Sequence, residues 1–259
     1  LPALIVTAPD RPKGRGLALT PPQVKLWAQK NSIEFVQPLA LEPSVKSQLS
    51  KVNSDVFIVA SYGLIIPKHI LDIPKHGTLN VHPSLLPKYR GATPIESQIL
   101  VDEKEIGVTI MLMDEKIDHG PIVAVRQIQD SRFKKQVYPS GVSLRKQLAE
   151  EGGQLLAEVM PKWIEGEIEA KPQDHSKATY TKKLAKADGE IDLTGNPYKN
   201  FLKIQAFEDS IGTHFYMPLS SSPLQRGGAE GGGVKKVRVL IKSAEFRNDK
   251  LILTRVIPE

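Results

Sequence analysis

The sequence predicts an α/β protein: a mainly parallel sheet with covering helices in the first half, followed by a smaller β-rich domain. Short β-branched runs alternate with helical patterns through residue 165, a polar Lys-rich stretch then breaks the pattern, and strand-like alternation resumes near the end. Strands are expected at residues 4–6, 34–36, 56–59, 78–81, 107–113 and 122–128. A helix is expected at 143–165, because Leu144, Leu148, Leu155, Val159 and Trp163 recur at spacings that place them on one face, with Gly152 and Gly153 as a local weakness. From 166 to 188 no periodicity is sustained and Pro172 intervenes, the composition of a linker crossing a surface. Beyond it, 200–207 reads as a short helix, and 237–241 and 251–256 as strands. The Ser- and Gly-rich segment 220–233 holds too little apolar surface to order itself and reads as a mobile loop. The expected organisation is therefore a catalytic domain at 1–165, a linker at 166–188 and a C-terminal domain at 189–259. The chain opens without methionine and directly on a strand-like segment, so the first domain reads as N-terminally truncated.

Bulk properties narrow the function. A chain of 259 residues that is 40% hydrophobic can bury one sizeable core and a smaller second one. It has no run of eighteen apolar residues, and its first residues lack the charged flank of a signal peptide, which makes the cytoplasm the default location. The absence of cysteine excludes disulfides, thiolate metal sites and a cysteine nucleophile. A net charge of +6 and a pI near 9.3 permit a polyanionic partner such as RNA, with the excess spread along the chain rather than gathered in a basic arm.

Two segments carry chemistry. In the strand at 78–81 and its continuation, residues two apart point the same way, so Asn80 and His82 present an amide and an imidazole on one face while Val81 turns to the other. Pro83, Pro87, Gly91 and Pro94 then stop regular structure, leaving a shaped loop at a strand's carboxyl end, where open sheets place ligands. The plainer reading is a histidine that merely ends a strand. The second segment, Gly-Val-Thr-Ile-Met-Leu-Met-Asp from Gly107, leads into an acidic turn containing Asp114, Glu115, Asp118 and His119 before Gly120-Pro121. Any of these four could face the Asn80/His82 pair, or the carboxylates could simply bond their own backbone.

Together these segments resemble the folate-dependent formyltransferase family. The resemblance rests on Asn80-Val-His-Pro-Ser-Leu-Leu-Pro-Lys-Tyr-Arg-Gly-Ala-Thr-Pro-Ile95, on Gly107 to Asp114, and on Ile117-Asp118-His119-Gly120. Ser61-Tyr62-Gly63-Leu64-Ile65-Ile66-Pro67 and Pro9-Asp10-Arg11-Pro12-Lys13-Gly14-Arg15-Gly16 extend it over nearly the whole chain. It implies a Rossmann-like catalytic domain, preceded in the family by a further strand, loop and helix, and a C-terminal domain similar to an OB-type barrel. It also implies Asn80, His82 and Asp118 as the catalytic trio, 10-formyltetrahydrofolate as co-substrate in a site lined by Ser84, Leu85, Leu86 and Pro87, a cis peptide at Leu86–Pro87, and no metal.

Within the family, the match is to the members that act on initiator methionyl-tRNA. In these the loop matching Pro9 to Gly16 meets the acceptor end of the tRNA, which gives Arg11, Lys13 and above all Arg15 a role in binding it. A monomer is expected. Relatives that formylate glycinamide ribonucleotide lack the Arg loop and the C-terminal domain, and those acting on sugar nucleotides do not normally carry the Pro-Asp-Arg-Pro-x-Gly-Arg-Gly run. Three departures stand out: Leu17-Ala18-Leu19 where relatives often carry lysines, no Pro-Trp-Pro after the helix that contains Lys203 to Phe207, and the apparent insertion at 220–233. In the C-terminal domain Lys236, Arg238 and Lys242 alternate with Val237, Val239 and Ile241, a basic face that would suit RNA and is equally the pattern of any half-buried strand.

Overall fold

The computed structural model describes residues 1–13, 16–129, 139–218 and 236–259, so Arg15 and the segment 220–233 lie outside the described residues. Its elements, in chain order, begin with β1 (Ile5–Val6), β2 (Arg11–Lys13), β3 (Ala18–Thr20), α1 (Gln23–Lys30), β4 (Phe35–Val36), α2 (Pro43–Val52) and β5 (Phe57–Val59). There follow α3 (Lys68–Leu71), β6 (Thr78–His82), α4 (Pro94–Leu100), β7 (Gly107–Leu112), β8 (Ile122–Gln127), α5 (Gly141–Ile164), α6 (Pro197–Phe207), β9 (Thr213–Pro218), β10 (Lys236–Arg247) and β11 (Lys250–Pro258). By their contacts these residues form two compact units, each assembled from separated stretches: 1–82, 109–125 and 152–175 in one, 83–108, 126–151 and 176–259 in the other.

In the first unit β1 pairs parallel with β4, and β5 pairs parallel with β6 in a sheet of order β5-β6-β7-β8. The α/β class stands, with a sheet more mixed than the sequence suggested. β6 and β7 are antiparallel, and Leu112 N donates to Pro121 O where β7 turns back into β8. Residues 113–121 are too few for a crossover, so β8 must return alongside β7.

Leu79 and Val81 of β6, with Ile110 and Val123, pack against Leu155 and Val159 of α5. The periodic face read from the sequence is the buried one, and α5 runs unbroken through Gly152 and Gly153. Because Leu79 is fully buried at the centre of this cluster, Leu79→Ala should destabilise the protein by about 2–5 kcal/mol, read as a lower urea midpoint with an unchanged m-value. A second cluster packs Val45 and Leu49 of α2 and Ile70 of α3 against Val6 and Phe57.

In the second unit β9, β10 and β11 form an antiparallel sheet, a small β domain of which three strands lie among the described residues. Helix α6 begins where the Asn196 side chain accepts from Lys199 N, with Pro197 in the first turn, and packs Ile204 against Ile241 and Ile191. Val237, Val239 and Ile241 are buried while Lys236 and Lys242 are exposed, the alternation expected of β10. Residues 83–108 and 126–151 group with this segment, whereas the sequence division ran at 166–188. Helix α4 packs on α6, and Arg145 at the start of α5 joins Glu96 (2.9 Å) to Asp209 (3.0 Å).

The stretch expected as a linker is irregular yet pinned. Lys171 and Ile122 exchange both backbone hydrogen bonds at 2.8 Å. Within the second unit, Arg90 N donates to Thr179 O and Thr181 N to Arg90 O, so residues 179–181 lie along 89–91 like a further strand. Burial of Arg90, whose guanidinium reaches the Tyr180 hydroxyl at 3.2 Å, fastens the same join.

Candidate active site

The candidate site lies within the first unit, at the end of β6. Pleating sends Leu79 and Val81 to the α5 core and Asn80 and His82 to the other face, where both side chains are nevertheless buried. Register with β7 sets Asn80 opposite Met111 and His82 opposite Thr109, two fully buried neighbours that hold the pair in place.

The acidic turn at 113–121 supplies the third group. Asp118 adopts a left-handed backbone (φ 47°), a conformation aspartate tolerates better than most side chains. Its Oδ1 accepts from Asn80 Nδ2 at 3.3 Å and lies 3.6 Å from His82 Nδ1, within ion-pair range. The carboxylate is 14% exposed, shielded yet still in reach of solvent. The structure thus distinguishes Asp118 from the candidates the sequence left level with it. Asp114 instead binds His119 Nδ1 at 2.6 Å and accepts from Lys116 N, while Glu115 is exposed. Chemically, one carboxylate sits beside two groups able to donate N–H bonds, an arrangement that can move a proton and stabilise a developing oxyanion at one place.

Gln173 was missed by sequence reasoning and has no motif that could have found it. Its Nε2 donates to Asp118 O (3.0 Å) and Gly120 O (2.7 Å), so the amide spans the turn that carries Asp118. His175, two residues on, stacks its ring on His119 at 4.1 Å between centroids and 7° between planes.

Ser84, Leu85, Leu86 and Pro87 follow β6 directly in the chain and belong to the second unit. There Ser84 is buried and donates to Lys88 O at 2.7 Å, closing the loop, Leu86 is buried, and the Leu86–Pro87 peptide is cis. Arg11 and Lys13 stand exposed on β2, which forms a hairpin with β3 where the sequence suggested only a loop. The root of that hairpin is tied down by Asp10, which pairs with Lys25 at 2.7 Å and accepts from Gln37 at 2.8 Å. These hydrogen bonds, Lys25 first, hold the Asp10 carboxyl below its usual range.

The family model described as formyl transferase matches residues 2–159, which include Asn80, His82 and Asp118. The chain belongs to the formyl transferase family. A methionyl-tRNA formyltransferase from Chloroflexus aurantiacus is 46% identical over 189 residues, which cover 73% of this chain and 59% of that relative. The chain thus spans about three-fifths of that relative's length. Among solved structures, a methionyl-tRNA formyltransferase from Clostridium thermocellum aligns with a TM-score of 0.65 at 15% identity, covering 99% of this chain and 98% of its own. HypX from Aquifex aeolicus, solved in complex with tetrahydrofolic acid, aligns with a TM-score of 0.64 at 17% identity, over 93% of this chain and 37% of HypX. At those identities the two structures establish the fold of this family member.

Proposed function

We propose that the protein transfers the formyl group of 10-formyltetrahydrofolate to the α-amine of initiator methionyl-tRNA, as the names of its curated relatives suggest. The observation that supports this most is the convergence of Asn80 and His82 on the Asp118 carboxylate, at 3.3 and 3.6 Å. In this reading the neutral amine attacks the formyl carbon, and the carbonyl oxygen becomes an oxyanion that the Asn80 and His82 N–H groups stabilise. Attack forms the new carbon–nitrogen bond, and the bond to N10 breaks when the oxyanion collapses back to a carbonyl. Asp118 takes the proton the amine loses and returns one to N10, directly or through water. An amine is already a competent nucleophile, so no covalent enzyme intermediate is required, and positioning supplies much of the rate.

Ser84, Leu85, Leu86 and Pro87 would line the folate site, a role consistent with the tetrahydrofolic acid bound to the related fold of HypX. Arg11, Lys13 and Arg15 would contact the acceptor end of the tRNA, with the C-terminal β domain holding its body. No helix among the described residues is long and apolar enough to cross a membrane, and we assign the protein to the cytoplasm, acting as a monomer without metal.

The test is formyl transfer to methionyl-initiator tRNA, methionyl-elongator tRNA and an amino sugar nucleotide in parallel. Initiator tRNA should be the preferred acceptor, and preference for the sugar nucleotide would move the protein to another branch of the family. Arg15→Ala should lower kcat/KM for initiator tRNA by about 10- to 100-fold, the loss of about 1.5–3 kcal/mol of charge-assisted bonding, with folate binding unchanged. Formylation at the parental rate would reduce the arginine loop to a surface feature.

A further inference from the structure

We propose that Gln173 is a positioning residue for Asp118, and that residues 171–175 form a clamp that sets the carboxylate at its working place. Its functional consequence rests on the reaction assigned above; its structural content does not. Asp118 lies in the turn between β7 and β8 with a φ of 47°, a left-handed backbone that a residue other than glycine keeps only where its surroundings hold it.

Three contacts from residues 171–175 hold that turn. Lys171 exchanges two backbone hydrogen bonds with Ile122, anchoring the stretch to β8 just beyond the turn. Gln173 is 6% exposed, and its amide donates to the carbonyls of Asp118 and Gly120 at 3.0 and 2.7 Å. One planar NH2 group therefore fixes the two carbonyls that bracket His119. His175 then covers the His119 ring, whose Nδ1 is bonded to Asp114. Gln173 stands two residues beyond the backbone anchor and His175 opens the 3-10 turn at His175–Lys177, so both side chains reach the turn from one short stretch.

The chemistry fits a positioning role. A side-chain amide carries two hydrogens on one nitrogen, which suits two carbonyls lying close together. Without it, two shielded carbonyls lose a donor and the turn can rotate to find others. Rotation about the Asp118 peptides would move the carboxylate away from Asn80 Nδ2 and His82 Nδ1, and a misplacement on the order of 1 Å is enough to cost about 100-fold in rate.

Gln173→Met keeps the length and removes the donor; Gln173→Glu keeps the shape and turns a carboxylate towards the two carbonyls. In the full protein, both should lower kcat for formyl transfer, Met by about 10- to 100-fold and Glu by more, with KM for either substrate within about twofold. The second readout is the crystal structure of each variant. The Asp118 carboxylate, now 3.3 Å from Asn80 Nδ2 and 3.6 Å from His82 Nδ1, should stand farther from both in Gln173→Met. Asp118→Asn should lower kcat as well, and adding Gln173→Met to that variant should lower it no further.

A purely structural glutamine would lower the melting temperature and leave both kcat and the position of the Asp118 carboxylate unchanged in the folded protein, which would overturn the proposal. If the protein formylates no tRNA yet the carboxylate moves as described, the clamp stands and the reaction assigned to it fails.

Discussion

Asp118→Asn should reduce single-turnover formyl transfer by about 10²- to 10⁴-fold while leaving tRNA and folate binding within about twofold of the parent. The substitution is isosteric, and an amide oxygen can still accept from Asn80 Nδ2 in place of the Oδ1 contact now made at 3.3 Å, so the site should keep its shape. What it loses is the ability to take a proton from the amine and deliver one to N10. Rapid-mixing of pre-bound enzyme, donor and charged tRNA isolates the chemical step, because slow product release cannot hide it. A single-turnover rate near that of the parent would show that the proton moves by another route and would leave Asp118 an electrostatic neighbour. This loss is distinct from the one expected at Arg15, where acceptor binding should suffer and chemistry on bound substrate should not.

Gly120→Ala should destabilise the protein by about 3–5 kcal/mol and abolish most of the activity of the fraction that folds. A Cβ at this position would stand 1.9 Å from Leu112 O and 3.3 Å from Asp114 N, both backbone atoms of the turn between β7 and β8. No rotamer change can relieve such a contact, so the turn itself must open. Gly120 is outside the left-handed region, and the requirement is therefore for space and not for a special dihedral. Opening the turn also moves the Gly120 carbonyl off Gln173 and carries Asp118 with it. The check is a pair of measurements on one sample: a urea midpoint for stability, and kcat at a concentration of urea too low to unfold the protein. A variant with the parental midpoint would mean that the turn has slack the geometry does not show.

The parts of the site visible in the sequence are those fixed by local rules. Asn80 and His82 share a face because a strand alternates, and that holds wherever the strand is placed. The core face of α5 was legible for the same reason, through helical spacing. Choosing Asp118 over Asp114 needed the family resemblance, since Asp118 is turned to partners 38 and 36 residues earlier while Asp114 is taken up by Lys116 and His119 of its own turn. Gln173 lies in a polar, Lys-rich stretch whose composition describes its solvent-facing side chains and is silent about the one that turns inward. The β2–β3 hairpin was hidden by prolines and glycines that usually mark loops, and its pairing is confined to residues 11–13 and 18–20. The direction of β7 and β8 could have been read from the short connection between them, but strands alternating with helical patterns elsewhere favoured a parallel sheet.

Pinning of residues 171–175 has a consequence for how this stretch can vary. Its composition is free at positions such as the exposed Pro172, where a different side chain would meet only water. Its length is not. Gln173 faces the turn because it stands two residues beyond the Lys171 backbone bridge, and His175 reaches His119 from the start of the 3-10 turn that follows. Inserting or deleting one residue between Lys171 and Gln173 would turn the Gln173 side chain to the opposite side, as a one-residue slip does in any extended segment. Among homologous sequences, therefore, substitutions should accumulate here without gaps, and gaps should begin only past residue 175.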